Sequence, residues 1–409
     1  MHEEVNPLKI RNFKFFVVAR ICFILAMQMV IFSMAWYIYE LTNNKLSIGL
    51  LGLSEIVPAI ILSLYAGHII DKSDKRSMLQ RTMSLYLITA ILLGLLCTSQ
   101  ARSSLGVTGV EIGIYGIYFC TGILRSFTGP TMSSIVAQLV PKIALPKAIT
   151  LSTTAWQTAA VTGPVLAGIL IAKTGIETAF VLAAILISVS VTMMTLIPKL
   201  APANTNKDVK AWASVKEGLA YVFRTKELLG AMSVDMFAVF FGGAVAMLPV
   251  YAKDILHIDA QWMGWLKAAQ SIGTILALTT LSRYPLKGKQ GRIMLQCVAM
   301  FGLCILVFAV SKNYWLSFSV LFFSGIFDAI SMLVRSTILQ MYVPDDMRGR
   351  VSSVGSMFVN SSNELGEFES GVSARFMGTV PSVLFGGCMT ILVVAVAWVK
   401  APKLRKLEY

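Results

Sequence analysis

Apolar runs of about twenty residues, long enough to cross the hydrocarbon of a bilayer, recur along nearly the whole of this 409-residue chain. That feature leaves little choice of fold, because a backbone in lipid has to satisfy its own hydrogen bonds, and a continuous apolar run does so as a helix. Length predicts about twelve spans. Their cores lie at 13–39, 47–70, 81–100, 112–137, 148–172 and 178–198, then at 229–252, 262–282, 293–311, 315–338, 352–376 and 382–399. Composition points the same way: 56% of residues are hydrophobic and 14% charged, where soluble domains carry about a quarter charged.

The second half repeats the first. At an offset of 203 residues, Gly163-Pro164-Val165-Leu166-Ala167-Gly168 falls on Gly366-Glu367-Phe368-Glu369-Ser370-Gly371, and Gly122-Ile123-Leu124-Arg125 falls on Gly325-Ile326-Phe327-Asp328. Pro141 falls on Pro344 and Gly175 on Gly378. Upstream of the loop between the third and fourth spans the offset becomes 215, which sets Gly49 on Gly264 and Arg20 on Asp235. Parallel repeats of this kind predict an all-α membrane protein with twelve transmembrane helices in two pseudo-symmetric six-helix bundles. Three regions follow: an N-terminal lobe over 1–198, a cytoplasmic linker with an amphipathic helix over 199–227, and a C-terminal lobe over 228–409. Pro202, Asn204 and Asn206 mark the linker. After them Trp212, Val215, Leu219, Val222 and Phe223 recur at helical spacing, which predicts a helix lying along the cytoplasmic membrane face.

The net charge of +14 sits in alternate loops. Lys9 and Arg11, Lys72 to Arg81, Lys142 and Lys147, Lys199 to Lys226, Arg283 to Arg292, and Arg348 onward carry most of it, while the intervening loops hold little beyond Lys45, Arg102, Lys173, Lys253 and Lys312. By the positive-inside rule both termini are cytoplasmic. The basic surplus is thus topogenic, and no nucleic-acid partner is expected. No cleavable signal peptide is expected either, since the first span is too long for a signal core. Cys22, Cys97, Cys120, Cys297, Cys304 and Cys388 lie in apolar spans without metal-ligand spacing, which predicts core packing and neither disulfides, metal nor cofactor.

Three local patterns stand out. The second span closes on Gly67-His68-Ile69-Ile70-Asp71-Lys72-Ser73-Asp74-Lys75-Arg76. There Gly67 permits close helix approach, Asp71 can accept from donors at a helix terminus, and Lys72, Lys75 and Arg76 suit an anionic interface. The fourth span holds Arg125 followed by Gly129, a guanidinium that costs of order 2.5–3.5 kcal/mol in lipid unless paired or solvated. The fifth holds Gly163-Pro164 with Ala167-Gly168, small residues for tight packing across the lobe interface around a proline that frees a carbonyl. Gly366 and Gly371 repeat it.

These patterns resemble signatures of the major facilitator superfamily. The loop resembles its cytoplasmic gate latch, with Asp74 in place of the usual second glycine; the second-lobe counterpart around Arg283–Arg292 lacks the acidic residue, so a latch would be asymmetric. The Arg125 pattern resembles the fourth-span signature, and Gly163-Pro164-x-x-Ala167-Gly168 resembles the antiporter motif with Ala167 for glycine. Together with Val343-Pro344-Asp345-Asp346-Met347-Arg348-Gly349-Arg350-Val351, the chain is similar to bacterial exporters of the macrolide-efflux and enterobactin-exporter kind.

The eleventh span is unusually polar. Asn360, Glu364, Glu367 and Gly371 share one helical face, which cannot point at hydrocarbon. Desolvation and mutual repulsion favour a proton on at least one of these glutamates near neutrality. Glu369 lies on another face. Other intramembrane ionisable residues are Arg20, Glu55, Arg125, Asp235, Lys267, Asp328, Arg335 and Arg375. Repeat symmetry sets Arg20 against Asp235 and Arg125 against Asp328, which predicts cross-lobe or local pairing that changes as access alternates. The expected substrate and proton-coupling set is Arg20, Glu55, Arg125, Asp235, Asp328, Arg335, Asn360, Glu364, Glu367 and Glu369. Met27, Met29, Met34, Trp36, Tyr37 and Tyr39 of the first span either line an adaptable cavity or pack helices.

The resemblance implies a monomeric, proton-coupled exporter of a small organic compound, drug, macrolide or siderophore-like, in a bacterial inner membrane. A lysolipid flippase, a proton-symport importer of a metabolite and a non-transporting receptor or assembly factor are the competing readings. No nucleophile–base pair, metal cluster or phosphate-binding loop suggests an enzyme.

Overall fold

The computed structural model describes residues 6–200, 211–284, 286, 288–405 and 407–408. Every regular element among them is helical. The long helices of the first half are α1 Arg11–Thr42, α2 Lys45–Lys72, α3 Lys75–Leu96, α4 Ser99–Ser134, α5 Leu145–Thr174 and α6 Ile176–Thr195. Those of the second are α7 Lys226–Phe241, α8 Ala260–Arg283, α9 Gln290–Val310, α10 Tyr314–Tyr342, α11 Asp345–Met377 and α12 Thr379–Lys400. The α7 span continues irregularly to Ile255, because Gly242 and Gly243 weaken the helix and Pro249 removes a donor.

Helix ends follow local chemistry. Thr98, Asp259 and Asn313 cap α4, α8 and α10 by accepting from Ala101, Trp262 and Leu316 N–H groups, which meets donors that a helix start leaves open. The predicted fourth span began at 112, whereas α4 starts at Ser99 and bends at Gly106, whose φ of 70° breaks the helical run. A left-handed residue there lets two helical pieces join end to end.

Contacts divide the chain into two units, Met1–Thr42 with Ser54–Asp208, and Asn43–Leu53 with Val209–Tyr409. Each reproduces the same glycine packing. In the first, a Cβ at Gly122 of α4 would fall 2.0 Å from the Glu55 carbonyl oxygen of α2; in the second, one at Gly325 of α10 would fall 1.9 Å from that of Gln270 on α8. A Cβ at Gly163 of α5 would meet Gln28 and Leu25 of α1, and one at Gly366 of α11 would meet Phe240 of α7. Partners at these four positions are related by the two offsets, 203 and 215. Gly175 (φ 96°) and Gly378 (φ 92°), also 203 apart, make the same left-handed turn between the fifth and sixth helices of each half. The duplication is therefore expressed in backbone contacts.

Among the described residues, ten helical stretches are long and apolar enough to span a membrane. The two long helices that fail this measure are α8 and α11, which carry Lys267 and the three glutamates.

The amphipathic helix Ala211–Arg224 forms where its period predicts. Its apolar side covers protein rather than lipid alone. Val222 is buried with Leu228, Val351 and Val354, Gly218 lies against the Arg350 backbone, and Tyr221 donates to the Tyr342 carbonyl at 2.6 Å. The linker at 201–210 and the Trp212 side chain lie outside the described residues.

Cys97, Cys297 and Cys304 are buried as expected, but Cys120 and Cys388 are exposed on their helices, which corrects the packing role given to all six. Met29, Met34, Trp36, Tyr37 and Tyr39 are buried side chains of α1, so they pack helices.

Candidate functional site

Three charged clusters sit on these helices. In the first unit Arg125 of α4 pairs with Glu55 of α2, Nη1 to Oε1 at 3.2 Å. The close α2–α4 approach at Gly122, one turn before Arg125, sets that distance. Arg20 of α1 instead donates Nη1 to the Met132 carbonyl at 3.3 Å and has no carboxylate partner among the described residues.

In the second unit Asp235 of α7 forms an ion pair with Arg335 of α10. Asp235 is 6% exposed and Arg335 14%. The pair lines a cavity of about 500 Å³ together with Met232, Met236, Gln340 and Phe358. A charge pair with little water access must be nearly self-sufficient, since removing either charge strands the other. Of the expected cross-lobe or local pairing, local pairs are present: Asp235 and Arg125 each have a partner inside their own unit. Asp328 has no ion-pair partner among the described residues. The position equivalent to Glu55 beside it is Gln270, which cannot neutralise it.

The third cluster lies on the two polar helices, α8 and α11. Glu364 and Glu367 stand one turn apart on α11 and turn their carboxylates to one point on the start of α2. A Cβ at Gly52 would lie 3.3 Å from Glu367 Oε2 and 3.5 Å from Glu364 Oε2. The Lys267 ammonium of α8 lies within electrostatic reach of both. Gly371 packs against Gly49, where a Cβ would be 3.0 Å from the Gly49 Cα, and this backbone contact holds α11 against residues 43–53. Glu369 lies on the other face of α11, where the Ser373 hydroxyl is shared between the Ser370 carbonyl and Ser382. The Asn360 side chain lies outside the described residues. Lys267 was visible in the sequence as an intramembrane cation, but nothing in the sequence tied it to Glu364 and Glu367. That link needs the α8–α11 neighbourhood.

The loop after α2 has the following geometry among the described residues. A side chain at Gly67 would meet no described atom within 4 Å, so close approach at this glycine is not seen, and the Asp71 side chain lies outside the described residues. Lys72 is exposed and Lys75 buried. Asp74 caps α3 through the Arg76 N–H at 3.1 Å and also accepts from the Leu200 N–H at 3.1 Å. Arg76 donates Nε to the Met194 and Ile197 carbonyls and Nη2 to the Thr195 carbonyl, at 3.0, 3.0 and 2.9 Å. These carbonyls end α6, where a cation also meets the negative end of the helix dipole. Burial pushes the Asp74 carboxyl up, but hydrogen bonds from Ser77, Leu200 and Arg76 outweigh it and hold the group below the ordinary carboxylate range. Asp74 in place of the family's glycine thus supplies a cap and a tie to the α6 exit.

Gly163 makes a close approach to α1 inside its own unit; Pro164 and Gly168 are buried on the same helix.

The family model described as transmembrane secretion effector matches residues 3–409. The staphyloferrin A transporter of Staphylococcus aureus is 24% identical over 385 residues, covering 91% of this chain and 92% of that protein. An uncharacterized MFS-type transporter of Bacillus subtilis, YfiS, is 23% identical, covering 87% and 84%. Among solved structures, a POT family transporter in complex with 5-aminolevulinic acid superposes with a TM-score of 0.74 at 12% identity, covering 97% and 96% of the chains. The inward-open xylose transporter XylE from E. coli superposes at 0.69 with 14% identity, covering 96% of each chain. These similarities establish the fold.

Proposed function

The chain belongs to the transmembrane secretion effector family of major facilitator transporters, and from that premise we propose that it is a proton-coupled exporter of a small organic compound. A multi-pass secondary transporter is what the family membership itself provides; export, the proton and the class of cargo are the proposal. The carrying observation is that Lys267 of α8 lies within electrostatic reach of Glu364 and Glu367, whose carboxylates turn to the same point at Gly52. Helices α8 and α11 are too polar to be explained by lipid exposure, and intramembrane charges of this kind mark ion pathways and proton relays. A proton arriving on one glutamate removes a negative charge from beside Lys267 and changes how strongly α8 and α11 attract each other. Alternating access coupled to protons needs a charge change of that sort between helices. Asp328, an intramembrane carboxylate without an ion-pair partner among the described residues, is the second acceptor. The Asp235–Arg335 and Glu55–Arg125 pairs are fixed counter-charges within their units.

Cargo of the siderophore, macrolide or drug-like class is supported by the likeness to the staphyloferrin A transporter. The alternate-loop distribution of Lys and Arg supports a bacterial inner-membrane location with both termini cytoplasmic, and a monomer is the expected working unit.

A stabilisation screen of the purified protein with siderophores, macrolides and lysolipids identifies the cargo. In inside-out vesicles that compound should discharge an imposed pH gradient. Glu364→Gln with Glu367→Gln should abolish discharge and leave counterflow exchange intact. Full gradient-driven transport in a protein lacking Glu364, Glu367 and Asp328 would defeat proton coupling through these carboxylates.

A further inference from the structure

A groove of about 890 Å³ runs between the N-terminal part of α7 and the C-terminal part of α12, away from all three charge clusters. Its wall is apolar: Leu229, Phe237, Leu392 and Val396 line it, and Phe237 and Leu392 remain 43% and 52% exposed. Its one charged end holds Lys226, Lys400 and Lys403. Lys403 reaches Glu227 at 3.6 Å, whereas Lys226 and Lys400 have no acidic partner among the described residues. Lys226 is moreover the first residue of the 16-residue α7, and its N-cap, Thr225, makes no side-chain cap hydrogen bond. Glu227 in the first turn already meets the helix dipole and is paired with Lys403, so the two lysines without an acidic partner are what favour a further anion at this end. The groove therefore combines an acyl-length apolar trough with a strongly anion-seeking end.

We propose that this groove binds one anionic phospholipid, its acyl chain along α7 and α12 and its phosphate between Lys226, Lys400 and the start of α7. The lipid completes the outer face of the second unit at the end where the chain terminates. A zwitterionic lipid fits the trough equally well but brings its own cation to the lysine end, so selectivity for net negative headgroups follows from the charge pattern.

The test uses the full-length protein purified in detergent, with bound phospholipid read by native mass spectrometry during titration with phosphatidylglycerol or phosphatidylcholine. Each lysine near a membrane surface contributes about a fivefold factor in affinity for an anionic lipid. Lys400→Gln should therefore weaken phosphatidylglycerol about fivefold and Lys226→Gln/Lys400→Gln roughly thirtyfold, with phosphatidylcholine unchanged. Lys312→Gln, at an exposed lysine outside the groove, should leave both titrations as in the wild type. Gly230→Phe, which puts a ring into the trough, should weaken both lipids together, and glycerol phosphate without acyl chains should not compete. Equal phosphatidylglycerol affinity in the double lysine variant, an equal loss in Lys312→Gln, or competition by glycerol phosphate alone would overturn the proposal. Unchanged phosphatidylcholine binding doubles as the check that each lysine variant is folded.

Discussion

Replacing Arg335 with Met should strand Asp235 as a buried carboxylate, and the size of the effect can be bounded. The two side chains are 14% and 6% exposed, and removing one partner of a buried pair costs about 3–5 kcal/mol. Two features of the site reduce that. The adjoining cavity of about 500 Å³ has room for water beside the carboxylate. Asp235 can also take a proton, at about 1.4 kcal/mol per pH unit above the ordinary aspartate value near 3.9. Neutralisation therefore costs about 4 kcal/mol at pH 7 and about 1.5 kcal/mol at pH 5, which sets a ceiling on the damage at each pH. The expected deficit is about 2–4 kcal/mol at pH 7 and no more than about 1.5 kcal/mol at pH 5. The sign follows from linkage. In the variant the folded state holds a proton that the unfolded state releases, so its stability falls as pH rises. Asp235→Asn/Arg335→Met removes both charges and should return to within about 1 kcal/mol of the wild type with no such pH dependence. Unfolding of the purified protein by SDS in mixed micelles, followed by tryptophan fluorescence at pH 7 and pH 5, measures all three proteins. An Arg335→Met protein as stable as the wild type at pH 7, or one with the same deficit at pH 5, would refute the reasoning.

The repeat-related glycines give a matched pair. Gly122→Ala and Gly325→Ala each place a methyl about 2 Å from a carbonyl oxygen and should cost at least about 1–3 kcal/mol by overpacking, while Gly116→Ala, which meets nothing within 4 Å, should stabilise by up to about 1 kcal/mol; the same SDS titration ranks them. Asp74→Ala should cost about 1 kcal/mol through the lost α3 cap, and Asp74→Asn, which keeps one cap acceptor but neither the charge nor the oxygen Ser77 donates to, should lose part of that. Because the Asp74 carboxyl is held below the ordinary range, its contribution is fully present above that range and is lost only as pH falls through the depressed value, so the gap between wild type and Asp74→Ala should persist to about pH 4 and close below it. Glu217→Ala breaks a 2.6 Å pair with Arg350, but Glu217 is 55% exposed, so a loss under about 1 kcal/mol is expected; Gly218→Leu, which drives a side chain into the Arg350 backbone, should detach the amphipathic helix and raise its amide exchange.

Much of the fold was readable because hydrophobic length and duplication are properties of the chain itself. Offsets of 203 and 215, taken from residue matches, reappear in glycine contacts and in the turns at Gly175 and Gly378. What sequence could not supply is the direction each helix face looks. Gly67 carries the expected motif, yet no described atom approaches it, because a glycine permits contact without requiring it. Gly163 similarly announces close packing but not its partner, which is α1. The amphipathic period of 211–224 specified an apolar face, and only the structure shows that Val222 and Gly218 spend it on α11 and its surroundings. Lys267, Glu364 and Glu367 were each legible as costly charges in lipid; the convergence of the two glutamates at Gly52 depends on residues 43–53 joining the second unit.

Packing and charge have therefore evolved under different constraints in the two halves. A glycine contact such as Gly122 on Glu55, or Gly325 on Gln270, is a backbone fit that both copies must keep for their helices to meet. The side chains projecting beside those contacts are free to diverge, and they have done so in a way that changes chemistry. Where the first unit has the ion pair Arg125–Glu55, the second has Asp328 beside Gln270: the arginine has become an acid and its carboxylate partner an amide. The Gly52 of α2 is matched by Lys267 of α8, so one copy offers the two glutamates space and the other offers them a cation. The proposed proton coupling rests on this asymmetry: Asp328 of the second unit has no ion-pair partner among the described residues, while the first unit pairs Arg125 with Glu55. On this argument, exchanging the pair positions, Gln270→Glu with Asp328→Arg, should build a second closed ion pair in α8–α10, preserve the fold and extinguish proton-driven transport. Retention of gradient-driven efflux in that double variant would show that Asp328 is not part of the coupling path.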